Sequence, residues 1–283
     1  MAAPQDTAWY DQQYNPRETV TDFQAAFDRY DAGSAAALKS VRAYLDVPYG
    51  EHPMEKLDIF PAKGESRACL MFIHGGYWRA LDKKSFAFLA PAFTKAGVTL
   101  ANVNYALCPA VTVEDIVRQI LQASAWLHRN ASNFGAPHGK LYVCGHSAGG
   151  HLAAMMLAAL WPTFRADLPK KLFRGALAIS GVFDLRPLLN TTFLANEVKL
   201  DAASARRLSP ILMSPATDTP IYTCVGGEES ESFHDQSAAL ARQWQRVFAG
   251  SIEMPGENHY TVIERLGDPD SALFKGALRM MGL

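Results

Sequence analysis

The sequence has no excess of charge of either sign. Among its 283 residues, 27 Lys and Arg stand against 28 Asp and Glu, which leaves a net charge of −1 with neutral histidine. Proteins bind nucleic acids and anionic membranes mainly through basic surfaces that neutralise phosphate groups. The balanced charge therefore gives no reason to expect either partner.

Motifs that bind metals, nucleotides or phosphate are also missing. The sequence contains no H-E-x-x-H, no P-loop and no G-x-G-x-x-G, and its cysteines lack the C-x-x-C spacing of zinc sites. The four cysteines are Cys69, Cys108, Cys144 and Cys224. Three of them lie in or beside apolar segments, where a free cysteine behaves as a small buried hydrophobe. We expect reduced thiols, no metal and no cofactor.

Membrane-spanning and targeting segments are not evident. No apolar run approaches the roughly 20 residues of a membrane-spanning helix. Residues 1–7 are neither basic nor followed by an apolar segment, so they do not resemble a signal peptide. We expect a cytoplasmic protein without a membrane partner.

Strand-like and helical patterns alternate along most of the chain. Strands are predicted at residues 42–47, 56–60, 69–73, 98–104, 141–144, 175–180, 220–225 and 250–254. Helices are predicted over residues 20–41, 113–130, 152–160, 230–248 and 271–281. Such alternation favours an α/β fold with a mostly parallel, eight-stranded sheet and helices on both faces.

The size and composition of the chain suit one domain over residues 1–283. A chain of this length that is 49% hydrophobic can bury one large core. Residues 188–214 follow the sixth predicted strand and are mixed in character. They form either a small cap over a pocket or an ordinary connection of short helices.

The pentapeptide Gly-His-Ser-Ala-Gly at residues 145–149 is the most informative motif. It follows the apolar strand at 141–144 and precedes the apolar helical segment at 152–160. In that context G-x-S-x-G predicts a strained strand-to-helix turn that exposes a serine hydroxyl at the edge of a sheet. Ser147 is therefore the candidate nucleophile. The alternative is a glycine-rich turn with an incidental serine.

A second glycine pair, Gly75 and Gly76, ends the predicted strand at 69–73, about seventy residues before the serine. Backbone N–H groups of such a loop, together with that of Ala148, can form an oxyanion hole. Without the serine motif, a simple strand-to-helix turn would be the preferred interpretation. With both motifs present in this order, catalysis is favoured.

A serine needs a base, and three histidines follow Ser147. His151 lies one helical turn further along, where a structural or substrate-facing role is expected, and His234 falls in a polar helical pattern typical of a surface. His259 follows the last predicted strand and a short loop. In α/β-hydrolases the histidine comes after the acid and close to the end of the chain, so His259 is the predicted base.

The acid cannot be assigned from the residues alone. Its expected place is the loop after the strand at 220–225, where Glu228 and Glu229 are adjacent. Either could orient the imidazole, while the other would sit at a helix N-terminus, where acidic side chains are favoured. Asp184 and Asp218 are outside candidates, although Asp184 is more typical of a helix N-cap.

Several motifs together resemble one family. They are His74-Gly75-Gly76-Tyr77-Trp78, the residues from Gly145 to Ala153, Trp9-Tyr10 with Tyr14-Asn15, Pro48-Tyr49-Gly50, Leu57 to Phe60, and Ser180 to Leu185. Over nearly the whole chain this set resembles the kynurenine formamidase (arylformamidase) branch of the esterase/lipase α/β-hydrolases. The tyrosine-tryptophan pair discriminates, since the hormone-sensitive-lipase relatives usually carry a further glycine there.

The resemblance implies a fold, an acid and a substrate. It implies the α/β-hydrolase fold, and it points to Glu229, because in the family the acid lies four residues before a phenylalanine that a Gln-Ser pair follows. This chain has glutamate where several relatives have aspartate. The implied reaction is the hydrolysis of N-formylkynurenine to kynurenine and formate, although many members of this branch act on other esters or amides.

Aromatic residues near these motifs predict the substrate pocket. Tyr77, Trp78, Phe183 and Tyr260 would line a site that stacks on a flat aromatic amide or ester, although aromatic residues are equally common in cores. In the predicted mechanism Ser147 attacks a small acyl group. The alternatives are a short-chain carboxylesterase and, less favoured, a non-catalytic ligand-binding relative, and the sequence leaves a homodimer open.

Overall fold

The computed structural model describes residues 6–283. Residues 1–5, which make up most of the segment that lacks the features of a signal peptide, lie outside the described part. Among the described residues, no helix combines the length and the apolar character that crossing a membrane requires.

Within residues 6–283, eight strands form one sheet. They are β1 (Tyr44–Pro48), β2 (Lys56–Phe60), β3 (Ala68–Ile73), β4 (Val98–Val103), β5 (Leu141–His146), β6 (Ala176–Ile179), β7 (Ile221–Gly226) and β8 (Phe248–Met254). Their order is β1-β2-β4-β3-β5-β6-β7-β8. Strand β2 pairs antiparallel with both β1 and β4, and the other neighbouring strands pair parallel. This is the predicted α/β-hydrolase sheet.

The helices of residues 6–283 lie between and around these strands. They are α1 (Thr7–Tyr14), α2 (Pro16–Thr19), α3 (Phe23–Ser40), α4 (Ala90–Lys95), α5 (Val113–Asn130), α6 (Ala148–Ala158), α7 (Trp161–Phe164), α8 (Ala202–Arg207), α9 (Glu231–Gln243), α10 (Thr261–Glu264) and α11 (Ala272–Met281). Helices α5, α6 and α9 contribute to one apolar cluster, and α3, α4 and α11 to another.

Strand β3 shows why the sheet needs helices on both faces. Met71 and Ile73 belong to one apolar cluster, whereas Leu70 and Phe72 belong to the other. Successive side chains of a strand point to opposite faces, so a strand that is apolar at every position must be covered on both sides. The continuous apolar run of β3 is therefore the sequence signature of a central strand.

Some predicted boundaries were wrong. The helical pattern at 230–248 ends at Gln243, because the chain turns at Trp244 and Phe248 already begins β8. The elbow helix starts at Ala148 rather than at residue 152. The sequence patterns did not predict α1 and α2. Residues 188–214 contain α8 and short 3₁₀ turns.

Candidate active site

Four loops meet at the carboxyl edge of the sheet. The loops after β3, β5, β7 and β8 carry the glycine pair, Ser147, Glu229 and His259 respectively. Parallel strands end at the same edge, which is why residues far apart in sequence come together. A cavity of about 820 Å³, including its open mouth, lies there and is lined by both Ser147 and His259.

Ser147 sits on a strained turn. Its backbone has φ 56° and ψ −120°, a region that residues with a Cβ rarely adopt. The turn is tight, since a Cβ on Gly145 would lie 2.0 Å from the Gly149 carbonyl oxygen, and one on Gly149 would lie 2.0 Å from that of Ile73. Both flanking positions must therefore be glycine, and helix α6 starts directly after the serine.

Of the two adjacent glutamates, only Glu229 contacts the imidazole of His259. Its Oε2 lies 2.6 Å from Nδ1 of His259, and both side chains are buried. Its other oxygen accepts hydrogen bonds from the Ser180 hydroxyl at 2.5 Å and from the Gly226 N–H at 2.8 Å. Glu228 is exposed. With Nδ1 of His259 engaged, Nε2 is the nitrogen that can take a proton from a hydroxyl.

The carbonyl groups of the glycine loop point into the protein. The Gly75 carbonyl lies 2.8 Å from Nδ1 of His74 and accepts a hydrogen bond from the Tyr105 hydroxyl at 3.3 Å. The same hydroxyl donates to the His74 carbonyl at 2.9 Å. Because C=O and N–H point in opposite directions across a trans peptide, the N–H of Gly76 faces away from Tyr105. Gly76 lines the cavity.

Gly75 and Ala148 flank the serine. A Cβ on Gly75 would lie 2.9 Å from Cβ of Ser147, so only glycine allows this approach. Ala148 is the first residue of α6, and N–H groups in the first turn of a helix have no partner within the helix. Gly75 and Ala148 therefore lie beside Ser147, and Gly76 lines the same cavity.

His74 connects the glycine loop to the interior. Its Nε2 lies 3.1 Å from Oδ1 of Asn104, whose amide nitrogen donates to Asp82 at 3.1 Å. The imidazole stacks on the Tyr105 ring at 4.3 Å between centroids. Burial lowers the pKa of His74. These contacts hold the peptides that follow His74 in one orientation.

His146, the variable residue before the serine, contacts the loop of the second histidine. Its Nε2 donates to the His259 carbonyl at 2.9 Å, and the two rings lie 4.9 Å apart. Burial, reinforced by the neighbouring His259, lowers the pKa of His146 well below its usual value. A neutral His146 therefore fixes the backbone of His259. Sequence reasoning missed it, although it stands inside the serine motif.

The four predicted aromatic residues divide into two pairs. Tyr77 and Tyr260 line the cavity. Trp78 and Phe183 are fully buried and do not line it. Trp78 packs edge-on against His151, and the Phe183 ring occupies the space beside the Cα of Gly181. The structure therefore corrects the prediction that Trp78 and Phe183 contact substrate, because both belong to the core.

The other candidate residues lie apart from the Glu229–His259 pair. His151 is buried, and its Nε2 donates to the Leu208 carbonyl at 2.7 Å, which is a structural role. His234 is exposed, as predicted. Asp218 forms an ion pair with Lys171. Asp184 pairs with Arg186 and accepts a hydrogen bond from its backbone N–H, a contact close to the capping role predicted for it.

The N-terminal helices close one side of the cavity, which sequence reasoning missed. Asn15, Pro16 and Arg17 line it, and the Tyr77 hydroxyl donates to the Tyr14 carbonyl. Asn15 caps α2 with its side chain, and Pro16 follows at the first helical position. An Asn-Pro pair is a recognisable helix start. The sequence therefore contained a signal for the start of α2.

The chain is similar to several known proteins. The family model BD-FAE matches residues 57–244. The chain is 31% identical over 279 residues to a kynurenine formamidase of Danio rerio, with 95% of this chain and 92% of that protein covered. It is 30% identical to a kynurenine formamidase of Salmo salar, with 88% and 86% covered.

Solved structures show the same fold. A protein from Silicibacter sp., provisionally assigned as a thioesterase, superposes with a TM-score of 0.83 and 34% identity, covering 93% of this chain and 96% of that one. Esterase B from Lactobacillus rhamnosis, in an inhibited form, superposes with a TM-score of 0.69 and 19% identity, covering 93% and 95%. The second likeness concerns the fold alone.

Proposed function

Because this chain belongs to the BD-FAE family and to the kynurenine formamidase family of α/β-hydrolases, we propose that it is a serine hydrolase that converts N-formylkynurenine to kynurenine and formate. The observation that carries the proposal is the cavity shared by Ser147 and His259, with Glu229 2.6 Å behind the imidazole. The enzyme class follows from the relatives, whereas the substrate and the residue roles are our proposal.

The first half of the reaction releases the aromatic amine. Ser147 attacks the formyl carbon while Nε2 of His259 takes the hydroxyl proton, and Glu229 stabilises the imidazolium that forms. The N–H groups of Gly75, Gly76 and Ala148 hold the developing oxyanion. The tetrahedral intermediate then collapses, the C–N bond breaks, and His259 gives its proton to the leaving nitrogen.

The second half regenerates the serine. His259 takes a proton from water, which attacks the formyl ester of Ser147 and passes through a second oxyanion in the same site. The ester bond breaks, Ser147 regains its proton from His259, and formic acid leaves and gives up its proton to solvent as formate. These steps balance without a cofactor.

The cavity supports an aromatic leaving group. Tyr77 and Phe193 meet edge to face at 5.7 Å between centroids, and both line the cavity together with Tyr260. Such walls suit a flat ring. A formyl group requires little space beside the serine, so most of the volume is available for the leaving group.

Buried thiols support a reducing location. All four cysteines are free and buried, which fits a compartment that keeps thiols reduced. We therefore place the reaction in the cytoplasm.

The test compares N-formyl-L-kynurenine with p-nitrophenyl acetate and butyrate. We expect a kcat/KM above about 10⁴ M⁻¹s⁻¹ for the formamide, well above both esters, and complete loss in Ser147→Ala. Ser40→Ala, at the distant end of α3, is the matched control. Fast ester turnover without formamide cleavage would make the protein a carboxylesterase. No turnover of any of these substrates would favour a non-catalytic relative.

A further inference from the structure

The wall of the active-site cavity has an unequal charge distribution. Among the described residues that line it, the permanently charged side chains are Arg17 and Arg79, and none is an Asp or a Glu. Glu229 lies behind His259 and is fully engaged with its three partners. A cavity whose charged side chains are arginines attracts an anion and disfavours a cation.

Arg79 is already neutralised. Its guanidinium forms an ion pair with Glu197 and lies 5.8 Å from the centroid of the Phe193 ring. A ligand carboxylate that approached Arg79 would have to compete with Glu197. This arginine therefore shapes one wall of the cavity without offering a free positive charge.

Arg17 differs from Arg79 in its surroundings. Within residues 6–283, no carboxylate lies within ion-pair distance of its guanidinium. Its guanidinium carbon lies 4.9 Å from the centroid of the Phe23 ring. Arg17 and Tyr260 line the same cavity; burial raises the pKa of Tyr260 to about 12, and the charge of Arg17 partly opposes that rise.

The backbone around Arg17 is fixed in place. Its N–H donates to the Asn15 side chain at 3.3 Å, and the Val20 N–H donates to the Pro16 carbonyl at 3.0 Å. The segment before it is tied to the rest of the site by the hydrogen bond from Tyr77 to Tyr14. Arg17 is thus held at the cavity wall even though its side chain reaches solvent.

We propose that Arg17 forms a carboxylate-binding subsite on the leaving-group side of the cavity. The planar guanidinium presents paired N–H donors that match the two oxygens of a carboxylate. The ligand would be an aromatic amide or ester whose leaving group carries a carboxylate, such as the amino-acid side chain of N-formylkynurenine. The identity of this ligand rests on the proposed function. A test by inhibition, however, does not require that the protein cleave formamides.

The test uses two formamides that differ only in the carboxylate. N-formyl-L-kynurenine is compared with 3-amino-1-(2-formamidophenyl)propan-1-one, its decarboxylated counterpart. Hydrogen bonds to charged groups give about 10-fold to 100-fold discrimination between ligands with and without the charge. Because water screens the exposed Arg17, we expect the kcat/KM of the wild type to be about 10-fold higher for the carboxylated formamide. In Arg17→Gln the ratio of the two kcat/KM values should fall close to one, through KM rather than kcat, and Arg17→Lys should restore part of it.

Matched variants separate Arg17 from other arginines. Arg29→Gln removes another exposed arginine, which pairs with Glu264 and does not line this cavity, and it should keep the wild-type ratio. An unchanged ratio in Arg17→Gln, or a loss of the ratio in Arg79→Gln instead, would overturn the inference.

A second measurement works even if formamides are not substrates. L-Kynurenine and its decarboxylated counterpart are compared as competitive inhibitors of p-nitrophenyl acetate hydrolysis. The proposed subsite requires the carboxylated compound to bind more tightly to the wild type, with the difference lost in Arg17→Gln. If wild type and variant bind both compounds equally, or neither compound inhibits, the subsite is refuted while the hydrolase remains.

Discussion

Glu229 and His259 are joined by a contact of 2.6 Å between Oε2 and Nδ1, whereas the adjacent Glu228 is exposed to solvent. The turn after β7 produces this difference, since the Glu229 N–H donates to the Gly226 carbonyl at 3.1 Å and thereby curls the second glutamate back towards the site. One position in the chain separates a buried partner of the imidazole from a surface residue.

Substitution of the two glutamates tests this assignment. We expect Glu229→Ala to lower kcat by roughly 10³-fold or more, because the imidazole loses both its orientation and the carboxylate that stabilises its charged form. Glu228→Ala is the matched control and should stay within about 2-fold of the wild type, as surface substitutions do. Steady-state kinetics on the best substrate measures both. A larger loss in Glu228→Ala would reverse the assignment.

The sequence was sufficient for the parts that depend on local patterns. Apolar runs located all eight strands, and the two glycine motifs located Ser147 and the loop at Gly75 and Gly76. Each of these patterns is set by backbone geometry that admits few residue types. The choice between Glu228 and Glu229 was different, because it depends on how a turn folds back on the site, and only the family resemblance favoured Glu229.

The cavity wall could not be read from local patterns. An aromatic residue beside a motif can face either side of its loop, and Trp78 turned out to be core while Tyr77 lines the cavity. Arg17 comes from a four-residue helix at the other end of the chain. Its position depends on tertiary contacts such as that between Tyr77 and Tyr14, which no periodicity encodes.

Tyr105 provides a test of how the glycine loop is held. Its hydroxyl donates to the carbonyls of His74 and Gly75 at 2.9 and 3.3 Å. Tyr105→Phe keeps the ring that stacks on His74 but removes both hydrogen bonds of the hydroxyl. The Gly75 carbonyl then keeps only its contact with Nδ1 of His74, so the N–H of Gly76 is held less firmly in its direction. We expect kcat to fall about 10-fold to 100-fold with KM nearly unchanged, since small displacements of catalytic groups have effects of this size.

Tyr49→Phe is the control for Tyr105→Phe. Tyr49 is also a buried tyrosine, and its hydroxyl donates to the Asn104 carbonyl at 2.6 Å. Removing this hydroxyl should reduce stability without a comparable loss of kcat. Equal kinetic losses in the two variants, at equal stability, would mean that the Tyr105 hydroxyl has no specific effect on the loop.

Two glycines with positive φ are predicted to differ in their tolerance of alanine. Gly64 has φ +86° and, among the described residues, no atom within 4 Å of where a Cβ would stand, whereas Gly76 has φ +100° and its Cβ would lie 2.2 Å from the Ala80 carbonyl oxygen. Gly64→Ala should cost about 1–2 kcal/mol in the free energy of unfolding, the strain of the backbone alone. Gly76→Ala must also displace the glycine loop.

Urea unfolding and kinetics together measure this difference. We expect Gly76→Ala to be less stable than Gly64→Ala and to lose most of its activity even at temperatures where it stays folded. The variant at Gly64 should keep the wild-type kcat. Full activity in folded Gly76→Ala would show that the position of this peptide does not matter for catalysis.

His151 makes the stability of the protein depend on pH. Burial lowers its pKa from 6.5 to about 4. Its Nε2 donates to Leu208, and among the described residues its buried Nδ1 has no hydrogen-bond partner. Protonation would therefore place an uncompensated charge in the core, and the unfolded chain binds this proton more readily than the folded one. The contribution of the neutral His151 side chain to the free energy of unfolding is complete above pH 6.5, and it is lost as the pH falls from 6.5 towards 4.

His151→Gln removes this titration while its amide can still donate to the Leu208 carbonyl. By linkage, lowering the pH from 7.5 to 5 should reduce the free energy of unfolding by about 2 kcal/mol more in the wild type than in the variant. Urea unfolding at the two pH values measures the difference, with His234→Gln, at an exposed position, as the matched control. Burial also lowers the pKa values of His74 and His146. Both residues are present in the wild type and in each variant, so their effects on the pH dependence cancel in the comparison. An identical pH dependence in wild type and His151→Gln would mean that His151 accepts a proton in the folded core as readily as in the unfolded chain.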